Sequence, residues 1–177
     1  MREIFHLPKT LTLPEKITVV NDFTSSAFVR HPFVRVLSAF IDKIVDNKKH
    51  GNWRKLVNYS EMDKIKAFER FVTLLVENKL GNDAHIQPFW NYGKYCYLDY
   101  EVIGKMETFT NDSNYIMSKT GMKTSIEQDH ISSGGSTSDL AKVYFAELPN
   151  TLIEKLHQWY KIDFEMFNYD HKDFLSK

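Results

Sequence analysis

The fold is decided by the stretch FVRHPFVRVLSAF, which occupies residues 28–40. It continues an apolar run, residues 26–30, that favours a β-strand and ends in a charge. His31-Pro32 follows, and proline suits the first turn of a helix. From Phe33 to about Asn47, apolar residues recur at helical spacing. The stretch therefore predicts a strand, a tight turn and a helix.

The rest of the chain predicts one more strand and several helices. Apolar spacing predicts a helix over residues 61–78 with Ser60 as its N-cap, and aromatic and β-branched residues predict a strand over 95–103 that Gly104 breaks. Further helices are predicted at 112–119, ending at Gly121, at 138–147 and at 150–160. The aromatic residues 164–169 should pack on the core. This mixture predicts an α/β fold.

The composition limits the classes of ligand that this chain can attract. Lys plus Arg and Asp plus Glu both number 23, so no overall field draws the chain to nucleic acid or to a membrane surface. We therefore expect no nucleic-acid partner and no membrane contact from this chain itself. An anionic ligand must be held by a local arrangement. The single cysteine, Cys96, excludes an intramolecular disulfide and a cysteine-based zinc cluster.

Arg30 and Ser38 are the candidate phosphate ligands. Arg30 leaves the end of the predicted strand, and ligands of α/β sheets sit beyond the carboxyl ends of strands. A planar guanidinium and a hydroxyl form a good grip for a phosphate, and the start of the helix adds a dipole that favours an anion. Taken alone, the two residues are weak evidence, because a surface arginine and a helix-facing serine at this spacing are common.

Several ordered motifs together resemble one family. The pattern F-V-R-x-P-F-x-R-x-x-S-A-[FY] in residues 28–40 resembles the 3′-phosphate-binding segment of carbohydrate sulfotransferases of the chondroitin 4-O-sulfotransferase type. Residues 100–108, YEVIGKMET, look like the family's Y-D-x-[VI]-G-K-x-E-T stretch, and 112–115 continue it in register. Residues 136–137 and 160–169 are similar to the family's C-terminal end. The resemblance covers roughly residues 28–175.

The resemblance implies a fold, a cofactor and a reaction. The fold would be the C-terminal part of a PAPS-dependent sulfotransferase, a P-loop-like parallel sheet with flanking helices. PAPS is 3′-phosphoadenosine 5′-phosphosulfate. In the family an arginine and a serine of this segment bind its 3′-phosphate, and the residues at those positions here are Arg30 and Ser38. The reaction would move sulfate to a hydroxyl of a glycan such as chondroitin, on the lumenal side of the Golgi membrane. The motifs require no metal, and they leave the oligomeric state open.

His85 and Glu107 are the candidate catalytic residues. His85 lies eleven residues before Cys96, and the related enzymes carry a histidine at similar spacing before a cysteine. A histidine suits a general base because the ordinary pKa of imidazole lies near operating pH. The resemblance places Glu107 near the site, either orienting the acceptor sugar or pairing with a cofactor-binding arginine. The alternatives are a hydrogen-bonded loop histidine at 85 and an ordinary turn at Gly104.

The chain departs from the family pattern in two places. Gly93 stands where vertebrate-type members of the family carry the first cysteine of a Cys-x-x-Cys pair, so that disulfide cannot form. The family's P-K-x-x-x-[ST] loop, which holds the 5′-phosphosulfate, lies well upstream of the Arg/Ser segment, and Pro8-Lys9-Thr10 only superficially echoes it. We therefore expect a single sulfotransferase-like domain over residues 1–177, truncated at its N-terminus and lacking that loop and the membrane anchor.

The departures leave an alternative function open. A catalytically inactive or truncated relative would act only through protein partners or would bind PAP weakly, PAP being the nucleotide that remains when PAPS has lost its sulfuryl group. An unrelated nucleotide kinase is disfavoured because it needs a G-x-x-x-x-G-K-[ST] loop, which the sequence does not contain.

Overall fold

The computed structural model describes residues 24–46, 51–92, 100–122 and 137–175, together with Thr12, Pro14, Glu15 and Thr18. The chain divides into two compact units. The first comprises Met1–Val29 and Gly93–Gln128, and the second comprises Arg30–Tyr92 and Asp129–Lys177. The sequence-based prediction of one domain over residues 1–177 stays a prediction.

The described residues form a two-stranded parallel sheet and many helices. The strands are β1 (Ser26–Val29) and β2 (Val102–Lys105). The helices are α1 (Pro32–Phe40), α2 (Gly51–Val57), α3 (Lys64–Val76), α4 (Phe89–Tyr92), α5 (Phe109–Thr120), α6 (Thr137–Ala146), α7 (Asn150–Trp159) and α8 (Lys161–Met166). A π-helical segment, Ile41–Asp46, continues α1, and 3₁₀ turns cover Tyr59–Glu61, Met106–Thr108 and Lys172–Phe174. The predicted α/β class is confirmed. Among the described residues, no helix is long and apolar enough to cross a membrane.

The sheet belongs to the first unit and pairs β1 with β2 in parallel, from Ser26 opposite Val102 to Val29 opposite Lys105. The prediction that Gly104 breaks the strand is wrong, because Gly104 lies inside β2 opposite Phe28. A Cβ at Gly104 would lie 2.6 Å from the Phe28 ring, so the strand needs a residue without a side chain there. The predicted strand residues 95–99 lie outside the described residues.

Helix α5 follows β2 closely, and one carboxylate ties them together. Asp112 Oδ2 accepts hydrogen bonds from the Lys105 amide at 2.7 Å and from the Thr108 hydroxyl at 2.6 Å. The helix begins at Phe109, earlier than the predicted 112, because Asp112 sits within the first turn and binds residues that precede it. The predicted cap is confirmed, since Gly121 ends α5 in the left-handed conformation with φ 71°.

The core of the second unit is rich in aromatic side chains. Phe33 of α1 stacks on Phe145 of α6 with ring centroids 4.8 Å apart, and Phe40 meets Phe68 of α3 edge-on at 5.3 Å. Such pairs add about 0.5–1.5 kcal/mol beyond the area they bury. The predicted α1, α6 and α7 are confirmed within a residue or two at their ends, apart from the π-helical continuation of α1.

Helix α3 begins later than the sequence predicts. Asp63, and not Ser60, is its N-cap, because the Asp63 carboxylate accepts from the amides of Ile65 and Lys66, both at 3.0 Å. Ser60 lies in the preceding 3₁₀ turn. The predicted packing of residues 164–169 on the core is supported by the burial of Phe164 and Phe167. Helix α8, which carries Phe164, was not predicted.

A buried ion pair joins three distant parts of the second unit. Asp163 of α8 is fully buried and accepts from the Phe89 amide at 2.7 Å and the Trp90 amide at 2.9 Å. Arg35 of α1 lies 3.7 Å from Asp163 and donates to the Gln87 carbonyl at 2.6 Å. Burial raises the pKa of Asp163 above its ordinary value, against the opposing pull of the two amides and Arg35. The pair therefore fixes the 87–90 segment between α1 and α8.

Asp163→Asn should lower the free energy of unfolding by about 3–5 kcal/mol, the cost of leaving one buried charge without its partner. In the parent, both carboxylate oxygens accept from backbone amides, so the NH₂ group of the asparagine would face one amide N–H that has lost its acceptor. Denaturant-induced unfolding measures the change. Asp173→Asn, at an exposed position near the C-terminus, is the matched control and should stay within about 0.5 kcal/mol of the parent. A loss below about 1 kcal/mol for Asp163→Asn would contradict the role of the pair.

Candidate functional site

The start of α1 lies directly after Arg30, which is half-buried and follows the carboxyl end of β1. His31 is the N-cap, and its Nδ1 accepts from the Phe33 amide at 3.2 Å. Since Nδ1 accepts, the proton lies on Nε2, which donates to the Asp170 carbonyl at 2.9 Å. Pro32 has no N–H. At the start of α1, therefore, two of the positions that usually present amide N–H groups to an anion do not do so.

Ser38 marks the one place where α1 is open. Among the nine residues of α1 only Ser38 is partly exposed, and the other eight are buried. Arg35 lies one turn earlier, but its guanidinium is taken up by Gln87, Asp163 and the Phe89 ring, whose centroid is 3.8 Å away. The family pattern contains both arginines of the segment, and the structure separates them: the Arg35 side chain is enclosed by Gln87, Asp163 and Phe89, whereas Arg30 is only half-buried.

His85 lies in a short connection between α3 and α4 and is held by Asp83. One carboxylate oxygen, Asp83 Oδ1, lies 2.9 Å from the His85 amide nitrogen and 2.7 Å from His85 Nδ1. Partial burial raises the pKa of Asp83, but the bonds from His85 outweigh it and the net shift is downward. An ionised carboxylate only accepts, so His85 Nδ1 carries a proton, and in the neutral form of the ring Nε2 holds the lone pair.

The backbone on either side of His85 is fixed by buried groups. The Asp83 carbonyl accepts from the amides of Ile86 at 3.1 Å and Gln87 at 2.9 Å, which closes a tight turn. The Tyr160 hydroxyl donates to the Ile86 carbonyl, and burial raises the pKa of Tyr160, so this hydroxyl keeps its proton. The Arg35 bond to the Gln87 carbonyl then connects the turn to α1, the helix of Ser38.

The four predicted site residues are divided between the two units. Arg30, Ser38 and His85 belong to the second unit, and Glu107 belongs to the first. Glu107 is exposed in the 3₁₀ turn between β2 and α5. The roles assigned to all four from the sequence stay predictions. Gly93, Cys96 and the Pro8-Lys9-Thr10 segment lie outside the described residues.

A further cluster of titratable groups, which the sequence did not suggest, brings Glu154 of α7 to His157 and His171. Glu154 Oε1 lies 3.4 Å from His171 Nε2, and Glu154 Oε2 lies 4.0 Å from His157 Nδ1. The two rings are stacked, with centroids 3.7 Å apart and planes within 13° of parallel. Nitrogen lone pairs lie in the ring planes, so in this arrangement they do not converge on one ion. In the sequence, only the spacing of three residues between Glu154 and His157 pointed to this cluster. His171 comes from a separate segment, so its proximity could not be predicted.

Comparison with known proteins gives a family. A model described as "Sulfotransferase family" matches residues 4–170. The chain belongs to the sulfotransferase family. Its parallel strands and many helices are consistent with a sulfotransferase fold. No solved structure gives a significant match.

The curated relatives of this sulfotransferase-family chain include carbohydrate sulfotransferases. Carbohydrate sulfotransferase 11 of Mus musculus is 26% identical over 184 residues, which cover 93% of this chain and 52% of the relative. Carbohydrate sulfotransferase 8 of Homo sapiens is 28% identical, covering 85% and 40%. Carbohydrate sulfotransferase 10 of Rattus norvegicus is 33% identical, covering 83% and 47%. The chain therefore spans about half the length of the curated relatives it matches.

The stacked histidines predict acid sensitivity of the fold. Burial lowers the pKa of His157 below its ordinary value, and the charge of His171 lowers it further, against the pull of Glu154. The unfolded chain then binds a proton at a higher pH than the folded chain, so stability is lost as pH falls below about 6.5. His157→Gln should flatten the fall in Tm between pH 7.5 and 5.5. Identical pH profiles for the variant and the parent would contradict this prediction.

Proposed function

We propose that this chain is the cofactor-gripping part of a carbohydrate sulfotransferase that moves sulfate from PAPS to a hydroxyl of a glycan such as chondroitin. The observation that carries the proposal is the exposure pattern of α1, which is buried everywhere except at Ser38 and begins just after Arg30. The family match and the carbohydrate sulfotransferases among its relatives support the reaction class. We further propose the Golgi lumen as the site of action, by analogy with the family.

The proposed grip on the 3′-phosphate of PAPS uses side chains more than backbone. Arg30 supplies a guanidinium that can bind two phosphate oxygens at once, and Ser38 supplies a hydroxyl donor. The first amides of α1 add little, since Pro32 has none and the Phe33 amide is bonded to His31. Affinity for the 3′-phosphate should therefore depend strongly on these two side chains.

The proposed transfer needs a base and a place for the acceptor. PAPS, when bound, supplies an activated sulfuryl group with a phosphate leaving group. His85 Nε2 would take the proton of the attacking sugar hydroxyl, since its Nδ1 is already protonated against Asp83. Glu107 would orient the acceptor sugar or pair with an arginine that binds the cofactor. Catalysis would come from positioning and charge stabilisation, as in phosphoryl transfer.

The first test is calorimetric titration of the chain with PAP and with adenosine 5′-phosphate, which lacks the 3′-phosphate. Arg30→Ala should weaken PAP binding by about 1.5–3 kcal/mol, roughly 10- to 150-fold, the range for a hydrogen bond to a charged group. It should leave the binding of adenosine 5′-phosphate unchanged. Arg70→Ala, which removes an exposed arginine of α3, is the matched control and should bind both nucleotides as the parent does.

Two outcomes would overturn the nucleotide assignment. One is equal loss of both nucleotides in Arg30→Ala, which would mean that the arginine supports the fold and not the 3′-phosphate. The other is an absence of PAP binding by the parent chain. Transfer of labelled sulfate from PAPS to desulfated chondroitin then separates an active enzyme from a relative that only binds PAP.

A further inference from the structure

The segment Asp83-Ala84-His85 contains an arrangement that the sequence motifs do not explain. Asp83 uses one oxygen, Oδ1, for both the amide and the ring nitrogen Nδ1 of His85, at 2.9 and 2.7 Å. The same residue closes the turn with its carbonyl, which accepts from the Ile86 and Gln87 amides. One residue therefore sets the backbone of the turn and the orientation of the imidazole.

We propose that Asp83 is the positioning residue for His85, holding the ring in the tautomer with the proton on Nδ1 and presenting Nε2 as a base. This inference rests on the proposed function, in which His85 accepts the proton of the sugar hydroxyl. The side chain of His85 is about half exposed, at 51%, so its ring is not held by burial. Without an acceptor at Nδ1, a free histidine ring would turn and would exchange its proton between the two nitrogens.

The proton balance of the step is simple. The oxygen of the sugar hydroxyl forms a bond to sulfur, the bond between sulfur and the phosphate oxygen of the donor breaks, and PAP leaves with that electron pair. The hydroxyl proton moves to His85 Nε2, and the imidazolium that forms keeps its other proton on Nδ1, hydrogen-bonded to Asp83 Oδ1. Asp83 stays ionised throughout, so its charge stabilises the imidazolium without exchanging a proton.

Buried groups make this pairing rigid. Directly after His85, the Ile86 carbonyl accepts from the hydroxyl of Tyr160, which lies between α7 and α8. The Gln87 carbonyl accepts from Arg35 of α1. Upstream, the Trp53 ring nitrogen donates to the Leu80 carbonyl at 3.1 Å. With the backbone fixed on both sides, the remaining freedom of His85 is rotation of its side chain, and Asp83 Oδ1 restricts that rotation.

The test compares Asp83→Asn and Asp83→Ala in the full 177-residue chain. Nitrogen chemical shifts of the His85 ring in long-range ¹H–¹⁵N spectra report which nitrogen carries the proton. The parent should show the proton on Nδ1, and Asp83→Ala should move the population toward Nε2. Asp83→Asn keeps an oxygen acceptor without the charge and should retain the tautomer. Asp170→Asn, which alters another aspartate beside a histidine, His171, should change nothing at His85.

The kinetic readout separates positioning from a structural role. Sulfate transfer from PAPS should show kcat reduced about 10- to 100-fold in Asp83→Ala and less in Asp83→Asn, with KM for PAPS unchanged. An unchanged tautomer in Asp83→Ala would overturn the proposal, as would parent-like kcat in that variant when His85→Ala is inactive. Full activity of His85→Ala would instead overturn the base assigned under the proposed function. If the parent chain transfers no sulfate, the proposed activity is overturned. The nitrogen chemical shifts of His85 in the parent and in Asp83→Ala would then still decide whether Asp83 sets the tautomer.

Discussion

The buried pair of Arg35 and Asp163 is the interaction on which the second unit depends. Removing both charges from water costs several kcal/mol, and a pair of this kind often contributes little net stability compared with apolar residues of the same size. The cost is offset only because each partner also satisfies backbone groups: Asp163 accepts from Phe89 and Trp90, and Arg35 donates to Gln87. The pair makes the packing of the unit specific, because its hydrogen bonds determine how α1, the 87–90 segment and α8 pack together.

This constraint reaches the candidate site through short connections. Gln87 is two residues from His85, and Arg35 is one helical turn from Ser38. The same guanidinium thus fixes the backbone next to the candidate base and lies on the helix of the candidate phosphate ligand. Arg35 Nε and Nη1 are buried without a hydrogen-bond partner among the described residues. These unpaired donors add to the free-energy cost of burying the arginine.

The sequence predicts features whose signals are local. Proline at the start of α1, the apolar spacing that follows and Gly121 at the end of α5 depend on neighbouring residues, and all three predictions are confirmed. Gly104 was misjudged because its role depends on the ring of Phe28, 76 residues earlier in the chain. The N-cap of α3 was misplaced because Ser60 and Asp63 are both good cap residues, and only the position of the first helical turn decides between them.

The site shows the same division between local and distant signals. The family motif gave Arg30 and Ser38, but it contained no signal that Arg35 is occupied by Asp163 from α8. The proximity of Asp83 to His85 is visible in the sequence, yet aspartates two residues from a histidine are common and only the side-chain geometry shows that one oxygen serves both donors. The start of α1 adds a further point. A helix dipole attracts an anion to any helix start, but here the cap and the proline leave few amides for an anion, so the proposed selectivity for a phosphate would have to come from the flanking side chains. Under the proposed function, that requirement would account for the pairing of a strand-end arginine with a hydroxyl two turns into the helix.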